Sequence, residues 1–272
     1  MKRNIIFISL PLAYSFILLS IFSLNKKEEL PQSKPKEEVI HLFNGKDLDG
    51  WYTFLEKRGK NSDPKNVFSV SKGQIRISGE EWGCITTNKE YQNYHLITEY
   101  RWGGKTYAPR EKNARDCGIL LHSVGEDGAK GGIWMYSIEC QIIEGGTGDF
   151  IVVGDESENF SITSTVKEEK QGGSHVYDPE GNSVTINSGR INWYGRDPEW
   201  KDEVGFYGRE DLEKPVGKWN RLECIVKDGT ITNILNGKIV NMAKQVTPVK
   251  GRIQIQSESA EIFFRKVDLI PL

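Results

Sequence analysis

Side chains of two kinds alternate from Trp134 to Gly146, and this alternation restricts the fold more than any other feature of the chain. One set is Tyr136, Ile138, Cys140 and Ile142, and the other is Met135, Ser137, Glu139, Gln141 and Ile143. A period of two predicts a β-strand whose first set faces a core. Glu139 and Gln141 then lie side by side on the opposite face. Polar groups buried mid-strand are costly unless they are bound, so the pair indicates a binding surface.

The same alternation recurs from residue 40 onward and predicts about fourteen strands, with no helical period longer than two turns. The predicted strands are Val67–Val70, Gln74–Ser78, Gly83–Thr87, His95–Trp102, Gly118–Val124, Met135–Ile143, Phe150–Val153, Phe160–Val166, Ser183–Asn187, Asn220–Lys227, Thr230–Leu235, Lys238–Met242, Arg252–Ser257 and Glu261–Leu269. Asp228-Gly229 and Asn236-Gly237 predict two-residue hairpin turns. The pattern favours one all-β domain, a sandwich or jelly roll of antiparallel sheets.

The N-terminus differs in composition from the rest of the chain. Lys2 and Arg3 precede an almost wholly apolar run, so residues 1–25 are interpreted as an export signal. The run is also long enough to span a bilayer, which leaves an uncleaved N-terminal anchor as the alternative. Residues 26–39 are charged and proline-containing, which predicts a disordered linker before a domain at 40–272. We therefore expect a periplasmic or cell-surface protein that meets the membrane only through its N-terminal segment.

Charge and cysteine content narrow the classes of partner. The formal net charge is −2, which argues against nucleic acid as a partner. The four cysteines, Cys84, Cys117, Cys140 and Cys224, lack the spacing of a zinc site. Buried free thiols are the favoured interpretation, since Cys140 and Cys224 fall at core-facing positions, and disulfides are the alternative in an exported chain.

Several predicted strands carry polar sets without lysine on the face opposite the core. Arg252, Gln254, Gln256 and Glu258 form one such set, and Gly118, Leu120 and His122 another. Two long insertions, at residues 103–116 and 168–203, interrupt the strands, and long ordered loops on a β scaffold commonly shape a binding site. These features favour a concave carbohydrate groove, with an ordinary solvated sheet face as the alternative.

Motifs from residue 41 to the C-terminus resemble the 3-keto-disaccharide hydrolase family. They are His41–Trp51 (HLFNGKDLDGW), Tyr94–Trp102 (YHLITEYRW), Asp116–His122 (DCGILLH), Ser137–Ile142 (SIECQI), Gly217–Asn220 (GKWN), Leu235–Gly237 (LNG), Gly251–Gln256 (GRIQIQ) and Phe263–Arg265 (FFR). Cys117 is a departure, because the family usually has Ser there. The resemblance implies a concanavalin-A-like jelly roll, a fold shared with laminarinase-type glycosidases and legume lectins.

The resemblance also implies an unusual route of glycoside cleavage. A ketone at C3 of the sugar acidifies the hydrogen at C2, a base removes this proton, the group at C1 is expelled, and water adds to the product. Direct hydrolysis by two carboxylates, as in laminarinases, is disfavoured. Gln141 replaces an aspartate of that motif, and Glu144 falls on the opposite face from Glu139.

Candidate site residues follow from the faces of the predicted strands and from this chemistry. Glu139 and His122 are the catalytic candidates, as the base and its neighbour or as ligands of a divalent metal ion at the enolate. The cofactor is otherwise unknown. The substrate-binding candidates are Gln141, Arg101, Asp116, Trp193, Arg252, Gln256 and Glu258.

The sequence thus predicts an exported enzyme, a hydrolase or lyase, that cleaves 3-keto-glycosides or 3-keto-disaccharides. A non-catalytic, lectin-like carbohydrate-binding module with the same groove is the alternative function. Turnover of a keto-sugar separates the two, since a lectin binds its ligand unchanged. The sugar, the linkage and the oligomeric state are left open.

Overall fold

The computed structural model describes residues 38–272, and these residues form a β-sandwich without an α-helix. The predicted export signal at residues 1–25 and most of the predicted linker lie outside the described residues. Within 38–272 no helix is long and apolar enough to cross a membrane.

Nineteen strands make up the sandwich. They are β1 (Ile40–His41), β2 (Trp51–Leu55), β3 (Gly59–Lys60), β4 (Phe68–Ser71), β5 (Gln74–Ile77), β6 (Gly83–Thr87), β7 (Tyr94–Thr106), β8 (Asp116–Val124), β9 (Tyr136–Ile143), β10 (Phe150–Val153), β11 (Ser161–Val166), β12 (His175–Val176), β13 (Asn182–Ile186), β14 (Gly189–Asn192), β15 (Asn220–Lys227), β16 (Thr230–Leu235), β17 (Lys238–Thr247), β18 (Arg252–Ser257) and β19 (Ala260–Pro271).

The strands form two large sheets. The outer sheet has the order β13-β11-β17-β16-β15-β7-β19-β5-β4, with β1 on β19, and the groove sheet has the order β12-β14-β10-β9-β8-β18-β6-β2-β3. Pairing is antiparallel except for the short β12–β14 pair. The prediction of an all-β, concanavalin-A-like jelly-roll sandwich is confirmed.

One hydrophobic core lies between the sheets and draws on both of them. Ile138, Cys140 and Ile142 of β9 belong to it, as the alternation predicts, together with Tyr94 and Tyr100 of β7. All four cysteines are free and buried, which confirms the prediction of free thiols. The inward set of β9 is thus anchored in the core, and the other set is turned toward the opposite face of the groove sheet.

The hairpin turns form where the sequence predicts them, whereas the second insertion contains more strands than predicted. Asn236 and Gly237 have φ values of 49° and 84°, as the predicted hairpin turn between β16 and β17 requires. Residues 168–203 were expected to be mainly a loop, with one strand. They contain β12, β13 and β14, and β14 adds to the groove sheet beside β10. Its sequence, GRIN, is too short and mixed to show a period.

Candidate functional site

Three neighbouring strands of the groove sheet place polar side chains on one floor. In β8 and β9, Gly118 lies opposite Gln141 and Leu120 opposite Glu139. Just after β18, the backbone of Glu258 forms an isolated antiparallel bridge with that of Asp116, the first residue of β8. The floor belongs to a cavity of about 430 Å³. The cavity is lined by Arg110, Asp116, Lys130, Gly131, Ile133, Trp134, Glu139, Gln141, Ile151, Val152, Val153, Arg190, Gln256 and Glu258.

Gly118 gives two of these side chains the space to meet. A Cβ at this position would lie 2.1 Å from Oε1 of Glu139 and 2.4 Å from Oε1 of Gln256. Real contacts of this kind do not occur, so any side chain at 118 would displace both groups. The missing side chain therefore shapes the floor on which Glu139 and Gln256 lie together.

Three carboxyl groups in the cavity are buried and hold protons unusually tightly. Burial, and then the nearby Asp116, raise the pKa of Glu139 to about 8. Burial, and then Glu139, raise the pKa of Glu258 to about 7. Burial and Glu258 also raise the pKa of Asp116 well above its usual value. The desolvated charges repel one another, so near neutral pH the cluster contains both ionised and protonated carboxyl groups.

Two arginines that we did not predict offset this negative charge. Arg110 Nη2 lies 3.0 Å from Oδ2 of Asp116. Arg190, on β14, lines the same cavity and lowers the pKa of both Glu139 and Glu258. Both arginines lie in the insertions expected to shape the site. Because these insertions have no period, the sequence does not show which of their residues reach the floor.

Two carboxamides present acceptors that the protein leaves unpaired. Gln141 donates from Nε2 to Asp116, and its Oε1 is buried without a hydrogen-bond partner. Oε1 of Gln256 is also buried and unpaired. A buried acceptor without a donor is costly, so the floor is suited to a ligand that supplies hydroxyl donors, as a sugar does.

The predicted convergence of His122 with Glu139 is wrong. A β-bulge in β8 lies between Leu121 and Val124, and His122 has a φ of 54°. Its ring packs edge-to-face on Tyr94 at 5.9 Å, and Nδ1 donates to the carbonyl of Pro248 at 2.7 Å. The bulge breaks the alternation, so the side chain turns toward the core instead of the cavity.

Three predicted substrate-binding residues also lie outside the cavity. Trp193 is buried in the core, where its backbone N–H donates to Asp149. Arg101, on β7 of the outer sheet, packs on Phe263 and Trp219. Arg252 is on the groove sheet, but its guanidinium is bound by backbone carbonyls at residues 87 and 88. Arg101 and Arg252 lie on polar faces of their strands, as the alternation predicts, but a face does not specify the sheet or the position along it. Trp193 was a candidate because it lies in the long second insertion, and that placement does not show whether the ring is buried.

The proposed metal ligands do not fit one site. His122 and Glu139 are separated as described, and His122 Nδ1 is already engaged. Within residues 38–272 no group of three or more His, Cys, Asp or Glu side chains has the arrangement of a metal site. We therefore derive no step through a metal ion.

The described residues define a protein of the jelly-roll class with a polar cavity on one of its two sheets. The chain matches the model of the 3-keto-alpha-glucoside-1,2-lyase-like domain over residues 38–270, and it belongs to this family. A search of curated proteins finds no significant match.

Solved structures to which the chain is similar include a provisionally assigned glycosyl hydrolase from Parabacteroides distasonis. It is 19% identical, with a TM-score of 0.50 over 86% of this chain and 94% of that chain. A β-glucanase from Bacillus licheniformis is 9% identical, with a TM-score of 0.43 over 88% of this chain and 100% of that chain. The carbohydrate-binding module CBM66 from Bacillus subtilis is 12% identical, with a TM-score of 0.41 over 80% of this chain and 94% of that chain.

Proposed function

We propose that the protein is an exported enzyme that cleaves 3-keto-glycosides by removal of the C2 proton, elimination and hydration. The observation that carries the proposal is the pair of buried carboxyl groups, Glu139 and Glu258, whose pKa values are about 8 and about 7. Elimination needs one group that accepts a proton and one that gives a proton. Two carboxyl groups whose pKa values lie near neutral pH are suited to these roles.

The two carboxyl groups interact and titrate as a pair near neutral pH, so one can be ionised while the other retains its proton. Arg110 and Arg190 both lower the pKa of Glu258, whereas only Arg190 of these two lowers that of Glu139. We therefore propose Glu258 as the base and Glu139 as the acid. Glu139, a catalytic candidate from the sequence, keeps a catalytic role. Glu258 takes the second catalytic role, for which the sequence suggests His122.

These two carboxyl groups account for both proton transfers of the elimination. Glu258 removes the proton from C2, and the electron pair of the C2–H bond forms an enolate on the C3 oxygen. Arg190 offsets this developing charge. The C3 carbonyl then re-forms, a double bond forms between C1 and C2, and the bond from C1 to the leaving oxygen breaks as Glu139 protonates that oxygen. Addition of water across C1 and C2 gives the free keto-sugar.

The pH dependence of kcat/KM for a 3-keto-glycoside tests the assignment. We expect a bell with limbs near pH 7 and pH 8. Glu139→Gln should lower the rate by about a hundredfold or more and remove the alkaline limb. Glu258→Gln should remove the acidic limb. Glu99→Gln, on the outer sheet beside Arg265, is the control and should leave the profile unchanged.

Turnover in heavy water tests the route independently. Elimination and hydration place a solvent deuteron at C2 of the released keto-sugar, which mass spectrometry detects. Retention of the original hydrogen in all product would contradict elimination. Tight binding of glycans without turnover of any keto-glycoside would instead favour the lectin-like module.

Export rests on the composition of residues 1–25 and on nothing in the described structure. Fractionation of producing cells, with the mass of the mature chain, tests it and distinguishes a cleaved signal from a retained anchor. A chain found wholly in the cytoplasm would contradict it.

A further inference from the structure

Arg110 reaches the cavity from the first insertion, and it contacts two carboxylates at once. Its Nη2 lies 3.0 Å from Oδ2 of Asp116, on the floor of the cavity, and 3.3 Å from Oδ1 of Asp202, in the second insertion. Asp116 is buried, whereas the side chain of Asp202 is 36% exposed. The guanidinium group thus connects a carboxylate inside the cavity with one at the surface.

Asp202 is bound in turn by the loop that carries Arg110. Its Oδ2 accepts from Nδ2 of Asn113 at 2.6 Å, and its Oδ1 accepts from the N–H of Ala114 at 3.0 Å. Together with Arg110, the carboxylate of Asp202 therefore collects three donors from one short loop. Hydrogen bonds to an ionised acceptor are stronger than those between neutral groups, so Asp202 fixes this loop to the second insertion.

No other contact fixes Arg110 to a neighbouring segment. Apart from Asp116 and Asp202, within residues 38–272 its guanidinium bonds only to the carbonyl of Ala114, in its own loop. Its Nε is buried without a partner. An arginine side chain has many rotamers when it is released. Without Asp202, the loop and its guanidinium group would lose their fixed position beside Asp116.

The position of Arg110 matters for the proposed base, Glu258. Burial and then Glu139 raise the pKa of Glu258. Arg110 and Arg190 lower that pKa, and Asp202 raises it by a smaller amount than either arginine lowers it. Displacement of Arg110 would therefore raise the pKa of Glu258, whereas loss of the charge of Asp202 alone would lower it.

We propose that Asp202 is a positioning residue that holds the guanidinium group of Arg110 beside Asp116 and so keeps Glu258 able to accept a proton. The inference rests on the proposed function, because it takes Glu258 as the base. Asp202 acts through Arg110 and has no direct part in the reaction. The direction of its effect on Glu258 separates this role from a simple effect of charge.

Two variants distinguish the position of Arg110 from the charge of Asp202. Asp202→Asn keeps the size of the side chain and removes the ion pair. It should raise the midpoint of Glu258 by about one pH unit, the scale of a lost opposite charge, and lower kcat/KM below pH 7 by about tenfold. Asn113→Ala changes no charge but removes a donor that fixes Asp202, so it should shift the midpoint in the same direction.

Carbon-13 NMR of labelled glutamate carboxyl groups measures this midpoint without turnover. The signal of Glu258 is the one that is missing in Glu258→Gln. Asp178→Asn is the control, because it makes the same change of charge in the same insertion. The Asp178 carboxylate accepts from the N–H of Glu180 in an exposed turn and does not line the cavity, so the midpoint should stay unchanged.

A double-mutant cycle completes the test. In an Arg110→Gln background, Asp202→Asn should cause no further upward shift, since the group that it positions is gone. A downward shift in Asp202→Asn, or an upward shift that persists in the Arg110→Gln background, would overturn the inference. If the wild type turns over no 3-keto-glycoside, the proposed function fails, while the NMR titration still decides whether Asp202 positions Arg110.

Discussion

At the scale of single residues, Gly118 decides whether the candidate site exists. Its strand neighbours carry side chains, and its φ is not in the left-handed region, so the backbone does not require glycine there. The requirement comes from the space taken by Glu139 and Gln256 from the adjacent strands. A glycine in the middle of a strand costs stability and often marks close approach of another group.

Gly118→Ala should therefore damage function more than folding. The added Cβ overlaps Oε1 of both side chains, so both must leave the positions that they hold on the floor of the cavity. We expect kcat/KM for a 3-keto-glycoside to fall by about a hundredfold, as for loss of a positioned acid or base. The matched control is Gly104→Ala, because nothing lies within 4 Å of a Cβ there. Equal activity of the two variants would contradict the role of Gly118.

At the scale of elements, the bulge in β8 removes His122 from the site and buries it. Nδ1 carries the hydrogen because the Pro248 carbonyl only accepts, which leaves Nε2 bare and without a partner. The hydroxyl of Tyr94, whose ring packs against His122, is also unpaired. Burial lowers the pKa of His122, with the bond to Pro248 opposing the shift.

The lowered pKa predicts a loss of stability in mild acid. The unfolded chain protonates this histidine near pH 6.5, whereas the folded chain does so only at lower pH. Stability from neutral His122 is thus present above pH 6.5 and is lost as pH falls toward the folded pKa. His122→Asn tolerates the positive φ and should lose less stability between pH 7.5 and pH 5.5 in urea unfolding. Parallel losses in variant and wild type would show that other groups cause the acid sensitivity.

At the scale of the whole molecule, one buried carboxylate joins the second insertion to the sandwich. Asp149 precedes β10 and is fully buried, and its oxygens accept from the N–H of Trp193 and from Arg196. Arg190, which lines the cavity that holds the carboxyl groups, lies 3.4 Å from the same carboxylate. Burial raises the pKa of Asp149 and these donors lower it, so the ionised form depends on them.

Asp149→Asn should loosen the second insertion and destabilise the fold. It keeps the size but leaves the buried Arg196 without its charge partner, which costs about 3 kcal/mol. We expect Tm to fall by roughly 6–12 °C. Glu90→Gln is the control, since Glu90 and its partner Lys250 are both exposed and surface pairs contribute little. A similar small shift in both variants would show that Asp149 is not the anchor.

The sequence by itself determined the elements and their faces. Alternation along residues 134–146 predicted both the core set of β9 and the polar pair Glu139 and Gln141 on the opposite face. The dipeptides Asp228-Gly229 and Asn236-Gly237 predicted their turns. These features are local, because a strand's period and a turn's φ values depend on adjacent residues. The family motifs are local in the same sense. They cover strand ends and turns in the order in which these occur along the chain, so the sequence alone indicated the family.

Only the tertiary structure decided which polar faces meet. Arg101 and Glu139 have similar alternating surroundings, yet β7 and β9 belong to different sheets. One extra residue in β8 turned His122 inward, and no local signal marks that bulge. Arg110 and Arg190 come from insertions without a period and reach the carboxyl groups only through long-range packing. The site depends on contacts between distant segments, and a one-dimensional pattern specifies which way a side chain faces but not what it faces.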